Sequence, residues 1–170
     1  MIICANCRQE IQMRANTDVN AVPREQVLDF VRTFDAPVAL VFKLWSSPEM
    51  VMRWWGPKGF RMSECKMDFR FGGTWNYCMV SPEDGSDHRS HGTYREIITN
   101  KKIEFTYWHM VLGYENLVTI TFAEKDGKTE MHFLQAPFRE QEHRDGHNWG
   151  WNSTFDILEE YIDSNQGKIK

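Results

Sequence analysis

The sequence predicts a single α+β domain that combines an antiparallel sheet, a long C-terminal helix and two short helices after the first strand. Two patterns carry this prediction. Between residues 60 and 135, short segments of alternating apolar and polar residues follow one another across polar turns, which is typical of an antiparallel meander. After Pro137, apolar residues recur at helical spacing.

The first strand is predicted over residues 27–34, where apolar and polar side chains alternate. Two short helices are predicted over residues 37–45 and 48–55, because each begins with proline at or near its first position. Asp35 and Ser47 precede these helices and are candidate N-cap residues.

Five or six strands follow, joined by short turns. They are predicted over residues 60–69, 74–80, 88–98, 102–108, 116–124 and 128–135. Asp126-Gly127 joins the last two, and this dipeptide is a strong hairpin signal. Consecutive strands with such short connections predict that neighbours in sequence are neighbours in the sheet.

A long helix is predicted over residues 140–164. Its apolar stripe consists of Trp151, Phe155, Leu158 and Ile162, at spacing i, i+4, i+7 and i+11. Gly146 and Gly150 weaken the helix by about 1 kcal/mol each relative to alanine. A glycine at that place could instead allow a close approach of the helix backbone to the sheet.

The composition fits one domain with a large core. A chain of 170 residues buries about 70% of the surface that it exposes when unfolded, so it needs no disulfide or metal to hold a core. Aromatic residues are abundant, with 7 Trp and 11 Phe, and there are 9 Met residues. Methionine suits adaptable apolar surfaces, so we expect a large core, a large cavity or both.

Charge and segment composition argue against several classes of protein. The formal net charge is −4 and the pI is about 5.9, which gives no basic footprint for nucleic acid. No stretch is long and apolar enough to span a bilayer. The N-terminus lacks the charged start and apolar run of a signal peptide. The sequence therefore predicts a cytoplasmic protein whose cysteines are reduced thiols.

Residues 1–24 are predicted to form an N-terminal arm or extra element outside the single domain of residues 25–170. Its chemical feature is a C-x-x-C pair, Cys4 and Cys7. A structural zinc ion takes four ligands and one such pair supplies two, so free thiols are the favoured interpretation. A dimer that joins two arms would supply four thiols, which keeps a shared metal site open.

Several motifs share their order and spacing with a known family. They are FDAP (34–37), VFKLW (41–45), RWWGP (53–57), MDFRFGG (67–73), GTYREI (92–97) and GW (150–151). In these motifs the sequence resembles the SRPBCC proteins, and more narrowly the branch named activator of heat-shock-protein-90 ATPase homologue-like, from about residue 27 to the end. The resemblance implies a START/Bet v 1-like helix-grip fold, in which a curved antiparallel sheet wraps around the C-terminal helix and leaves a cavity. It also implies binding of apolar ligands, although a fold alone does not assign a ligand.

Three polar side chains are expected to point toward this cavity. At about 100° per residue, Arg144, His147 and Asn148 fall close to the apolar stripe of the helix. They would orient a carboxylate, hydroxyl or carbonyl group of a ligand. The alternative is that this half of the helix extends beyond the sheet edge and that its polar groups lie in water.

The candidate ligand-binding residues combine these polar groups with aromatic residues of the strands, of the long helix and of the adjacent tryptophan pair at 54–55. They are Trp54, Trp55, Trp75, Tyr77, Tyr94, Tyr107, His109, Phe133, Arg144, His147, Asn148, Trp151 and Phe155. Each aromatic member could equally be an ordinary core residue, and only their collective excess favours a cavity.

No catalytic residue and no metal ligand is assigned. His143 and His147 could reach one metal ion, but the H-E-x-x-H pattern is missing, so solvated or cavity-rim histidines are the favoured interpretation. His109 could act as a general base near neutral pH, but no serine or cysteine nucleophile with a suitably spaced partner accompanies it. His91 and His132 are expected at the surface.

Three functions stay open at this point. The first is a protein that binds a small apolar or amphipathic ligand in a sealed pocket, without a cofactor. The second is a protein-interaction module like the eukaryotic co-chaperone, which would present an exposed patch and no enclosed volume. The third is a cavity enzyme of cyclase or hydrolase type with a histidine base. Edge strands and the arm make a homodimer plausible, whereas no nucleic acid or membrane partner is expected.

Overall fold

The computed structural model describes residues 21–165 and contains one antiparallel sheet and three α-helices within that range. The strands are β1 (Leu28–Phe34), β2 (Arg61–Met67), β3 (Thr74–Val80), β4 (Asp87–Ile98), β5 (Lys102–His109), β6 (Glu115–Lys125) and β7 (Lys128–Ala136). The helices are α1 (Val38–Leu44), α2 (Pro48–Val51) and α3 (Gln141–Ser164), and a 3₁₀ turn covers Arg24–Gln26. The predicted α+β class and strand count are confirmed. Cys4 and Cys7 lie outside the described residues.

The sheet has the order β1-β7-β6-β5-β4-β3-β2, and all its pairs are antiparallel. Sequential neighbours from β2 to β7 pair directly, as the short turns predict. The first strand returns to the far edge, where Leu28 pairs with Gln135 and Phe34 with Thr129. Irregular register in β2–β3 and β4–β5 bends the strands, which agrees with the curved sheet of a helix-grip fold.

Helix α3 lies in the concavity of this sheet. Its buried side chains are Trp151, Thr154, Phe155, Leu158 and Ile162. The ring of Phe155 is 5.3 Å from that of Phe133 in β7 and 6.0 Å from that of Phe30 in β1. An ion pair of 2.9 Å between Arg32 and Asp156 fixes the helix against β1 at its exposed side. The predicted apolar stripe is therefore the face that packs on the sheet.

Two local predictions need correction, and a third is confirmed. Helix α2 ends at Val51 rather than near residue 55. Asp35 is not the N-cap of α1, because Pro37 occupies that position and no side chain caps the helix. Ser47 does cap α2, where its hydroxyl accepts a hydrogen bond from the Met50 amide at 3.4 Å.

The glycines of α3 do not bring its backbone against the sheet. A Cβ atom at Gly146 would meet nothing within 4 Å, and one at Gly150 would lie 3.7 Å from Pro57 Cγ. Neither added atom would meet the sheet, so the expected close approach of the helix backbone to the sheet is wrong.

Candidate functional site

The space between the sheet and α3 is filled mainly by aromatic side chains. The ring of Trp45 lies 4.6 Å from that of Trp54, and the ring of Trp55 lies 4.9 Å from that of Tyr77. The void left among them is about 10 Å³ and is lined by Trp45, Trp55, Trp75, Tyr77, Tyr94, Ile103 and Phe105. That volume holds one water molecule at most. The aromatic excess therefore builds core in this part of the fold.

An open pocket of about 470 Å³ lies instead at the end of the sheet where α3 begins. We call it the corner pocket. Its walls are the segment 55–57 that follows α2, the ends of β3, β4 and β5, the loop at 111–112 and the first half of α3. This volume lies in the range of small-molecule sites, which are concave and mostly apolar with a few polar groups.

Five of the predicted site residues line the corner pocket. They are Trp55, Tyr107, His109, His147 and Trp151. Six others are core residues away from it: Trp54, Trp75, Tyr77, Tyr94, Phe133 and Phe155. Trp54, for example, is 1% exposed, and its indole N–H donates to the Leu44 carbonyl at 2.9 Å.

Arg144 and Asn148 do not converge with His147 on this pocket. Both line a separate polar cleft beside β1. The Arg144 guanidinium donates to the Glu25 carbonyl at 3.0 Å and pairs with Asp145 at 2.8 Å. The expectation of three convergent polar groups is therefore wrong for two of them.

The reason lies in the rows of side chains on α3. Residues four apart follow one another along one face of a helix. Asn148 and Asn152 form a row with Arg144 that turns toward β1, where Asn152 accepts a hydrogen bond of 3.0 Å from Arg32. The neighbouring row of residues 143, 147 and 151 faces the corner pocket.

The sequence reasoning missed much of the pocket wall. The missed members include Phe60, Met79, His88, Leu112 and Trp149. His143, expected in solvent or at the rim of a cavity, lines the pocket in the same row as His147 and Trp151. The strand alternation from Tyr77 would have found Met79. No sequence pattern places Phe60 or Leu112, because both follow tight turns that bring loops over the pocket. Trp149 (60% exposed) and Val111 (57% exposed) stand at the mouth.

Two histidines, His109 and His147, contact each other in the pocket, whose polar wall also includes His88, Glu142, His143 and Thr154. Their ring centroids are 5.5 Å apart with nearly perpendicular planes. Burial, and secondarily the charge of His88, lowers the pKa of His109 to about 4. Burial, together with His109 and His143, lowers the pKa of His147 to about 3. Both rings are therefore neutral near pH 7, and the expectation that His109 titrates near neutral pH does not hold.

Hydrogen bonds fix the orientation of both rings. His147 Nδ1 lies 3.4 Å from Gln135 Oε1, which also accepts the Trp151 indole N–H at 2.7 Å. The Val111 amide donates to His109 Nδ1 at 3.3 Å. Within residues 21–165, no group of three or more His, Cys, Asp or Glu side chains is arranged to hold a metal ion. In the same range, no helix is long and apolar enough to cross a membrane.

The sequence model of one family, described as "Activator of Hsp90 ATPase homolog 1-like protein", matches residues 35–163. The chain belongs to this family. The resemblance to the SRPBCC proteins and to this branch of them is confirmed. Among curated proteins, no significant sequence match was found.

Solved structures share the fold of this Hsp90-activator-like chain. A protein from Nitrosomonas europaea is 25% identical with a TM-score of 0.72, over 84% of this chain and 97% of that one. A protein from Rhizobium leguminosarum is 27% identical with a TM-score of 0.68, over 81% and 94%. The AHSA1 protein from Silicibacter pomeroyi, 21% identical with a TM-score of 0.69 over 81% and 97%, shows the fold alone. Membership of this family supports a ligand-binding or interaction module in general.

Proposed function

We propose that the protein binds a small apolar or amphipathic molecule in the corner pocket, without covalent chemistry. The proposal rests on the pocket itself, which has a volume of about 470 Å³ and is lined largely by aromatic and aliphatic side chains. Burial of apolar ligand surface there would supply about 25 cal/mol per Å². A few polar groups in an apolar pocket orient a ligand and select among ligands of similar size.

The histidine pair favours binding over proton transfer. An efficient general base has a pKa near the working pH. Burial lowers the pKa of His109 to about 4 and that of His147 to about 3, so both are weak bases at neutral pH. They are better suited to hydrogen-bond a ligand than to remove its proton, which ranks a cavity enzyme below a binding protein.

The pocket also favours ligand binding over a pure interaction module. The corner pocket is open, so the sealed pocket expected of a binding protein is not what the structure shows. It is nevertheless a concave site of about 470 Å³, which a module with an exposed apolar patch would not need. Here the two most exposed apolar residues of this region, Val111 and Trp149, belong to the wall of the pocket. In that position they would cover a ligand once it is bound. A protein partner remains a prediction from the resemblance.

The test uses N-phenyl-1-naphthylamine, an uncharged apolar dye whose fluorescence rises in apolar surroundings. We expect saturable binding of one dye per chain. In Gly146→Phe a ring would enter the open space beside Gly146 and weaken binding at least tenfold. Gly146→Ala is the matched control, since it changes the same backbone position and leaves most of the volume open.

Circular dichroism of both variants would establish that they fold. Absence of saturable binding to the wild type would contradict the proposed function. Equal affinity of the wild type and Gly146→Phe would contradict the placement of the ligand in the corner pocket.

A further inference from the structure

Four histidine rings line the corner pocket, and each leaves one ring nitrogen without a partner among the described residues. In the pair that contact each other, these are Nε2 of His109 and Nε2 of His147, since the hydrogen bonds of both rings are made through Nδ1. Within residues 21–165, the buried side-chain polar atoms that have no hydrogen-bond partner belong to other residues, namely Trp45, Trp75, Ser90 and Asn116. The two Nε2 atoms are therefore open to the pocket that both rings line.

The network around Gln135 makes Nε2 of His147 an acceptor. An indole N–H can only donate, so the oxygen that it contacts at 2.7 Å is Gln135 Oε1. Gln135 Nε2 in turn donates to Asn116 Oδ1 at 3.0 Å, which fixes the same orientation of the amide. His147 Nδ1 must then donate its hydrogen to Oε1. In a neutral imidazole the other nitrogen carries a free lone pair.

His109 has the opposite tautomer. Its Nδ1 accepts a hydrogen bond from the Val111 amide at 3.3 Å, and a backbone N–H can only donate. In the neutral ring the hydrogen therefore resides on Nε2. The His109 ring thus offers a donor and the His147 ring an acceptor.

The two rings are close enough to serve one functional group. Their centroids are 5.5 Å apart at 88°, and both pack against Tyr107, at 5.7 Å for His147 and 6.3 Å for His109. One oxygen atom can form hydrogen bonds of about 2.8 Å to nitrogens on both rings.

A hydroxyl group satisfies both nitrogens through a single oxygen atom. It donates one hydrogen and accepts through its lone pairs. An ether or ketone oxygen only accepts, so it satisfies His109 and leaves His147 unpaired. A carboxylate also lacks a hydrogen to donate and would bring a charge into an apolar pocket, which is costly without a paired cation.

We propose that the ligand of the corner pocket is an uncharged aromatic alcohol of the phenol class, whose hydroxyl donates to Nε2 of His147 and accepts from Nε2–H of His109. The aromatic class follows from the walls, where Trp55 and Trp151 lie with ring centroids 5.1 Å apart beside Tyr107. This inference rests on the proposed binding function and specifies which molecules the site selects.

Equilibrium dialysis with three probes of one ring system tests this selection. They are 2-naphthol, 2-methoxynaphthalene and naphthalene. We expect the wild type to bind 2-naphthol at least tenfold more tightly than either other probe. In His147→Phe, which keeps a ring in place, the preference should fall below threefold while naphthalene affinity is retained. His91→Phe, at an exposed histidine stacked on Trp108 outside the pocket, is the control and should keep the preference.

A second measurement needs no variant. Nitrogen-15 NMR of the imidazole rings should find the hydrogen of His147 on Nδ1 and that of His109 on Nε2. Addition of 2-naphthol should shift both Nε2 signals. The opposite tautomers, or Nε2 signals that do not move, would overturn the inference.

The outcomes separate the two proposals. Equal affinity for 2-naphthol and naphthalene overturns the hydroxyl inference and leaves the binding function standing. A preference that survives in His147→Phe overturns the role of the histidine pair. Failure of all three probes to bind to a protein that does bind N-phenyl-1-naphthylamine overturns the inference and leaves the proposed function standing.

Discussion

At the scale of single residues, His147 shows how burial determines the protonation state of a side chain and its role in hydrogen bonding. Its ring contacts Tyr107, Phe138 and His109, with centroids at 5.7, 5.3 and 5.5 Å. An imidazolium there would lose its hydration and gain no carboxylate partner. The neutral ring instead becomes a directional hydrogen-bonding group, and Gln135 fixes which nitrogen carries the hydrogen.

The same burial predicts a loss of stability in mild acid. The pKa of His147 falls from 6.5 to about 3 in the folded state, facing His109 on β5 and His143 on its own helix. Between these values the unfolded chain binds a proton that the folded chain excludes, so stability is complete above pH 6.5 and falls as pH decreases. From pH 6.5 to pH 5 the loss is about 2 kcal/mol for one such group.

Urea unfolding at pH 7.5 and pH 5 measures this effect. In His147→Phe the decrease in unfolding free energy should be smaller than in the wild type by about 2 kcal/mol. His91→Phe, the same substitution at an exposed position outside the pocket, is the matched control. A decrease of the same size in wild type and His147→Phe would contradict the assignment.

At the scale of elements, the sequence predicts the sheet and the buried stripe of α3 well, because period-two and helical patterns record burial directly. The first half of α3 was not predictable in the same way. Its large apolar residue, Trp149, is exposed, and the residues around it are polar or glycine. Only contacts with β1 and the loop at 111–112 distinguish the row facing the pocket from the row facing the cleft.

Two glycines in different elements should respond in opposite ways to alanine. At Gly92 in β4 an added Cβ would fall 1.7 Å from the Thr106 carbonyl oxygen and 2.7 Å from Trp75 Nε1. Backbone must move to relieve this clash, so Gly92→Ala should lower the free energy of unfolding by more than about 3 kcal/mol. Gly146→Ala, on an open helix face, should raise it by roughly 0.5–1 kcal/mol.

Urea unfolding at pH 7.5 compares the two variants with the wild type. Each serves as the control for the other, since both add one methyl group. A cost below about 1 kcal/mol for Gly92→Ala would mean that β4 and β5 are not held as closely as the structure shows.

At the scale of the molecule, the fold separates a packed interior from a functional end. The aromatic core between the sheet and the segment 45–55 leaves a void of about 10 Å³, whereas the pocket at the first half of α3 measures about 470 Å³. The composition was consistent with a core or a cavity and did not predict this division, because the same residue types serve both. The homodimer, suggested by the free edges of β1 and β2, stays a prediction.

Because the pocket lies between α3, the sheet ends and the loop at 111–112, a ligand there contacts elements from distant parts of the chain. These elements separate on unfolding, so the ligand should bind only the folded state. At ten times its dissociation constant, N-phenyl-1-naphthylamine should raise the free energy of unfolding by about 1.4 kcal/mol. Urea unfolding followed by far-UV circular dichroism, with and without the dye, measures this.

Gly146→Ala should show the full increase and Gly146→Phe almost none. An equal increase in Gly146→Phe would locate the stabilising site elsewhere, with the polar cleft beside β1 as the next surface to test.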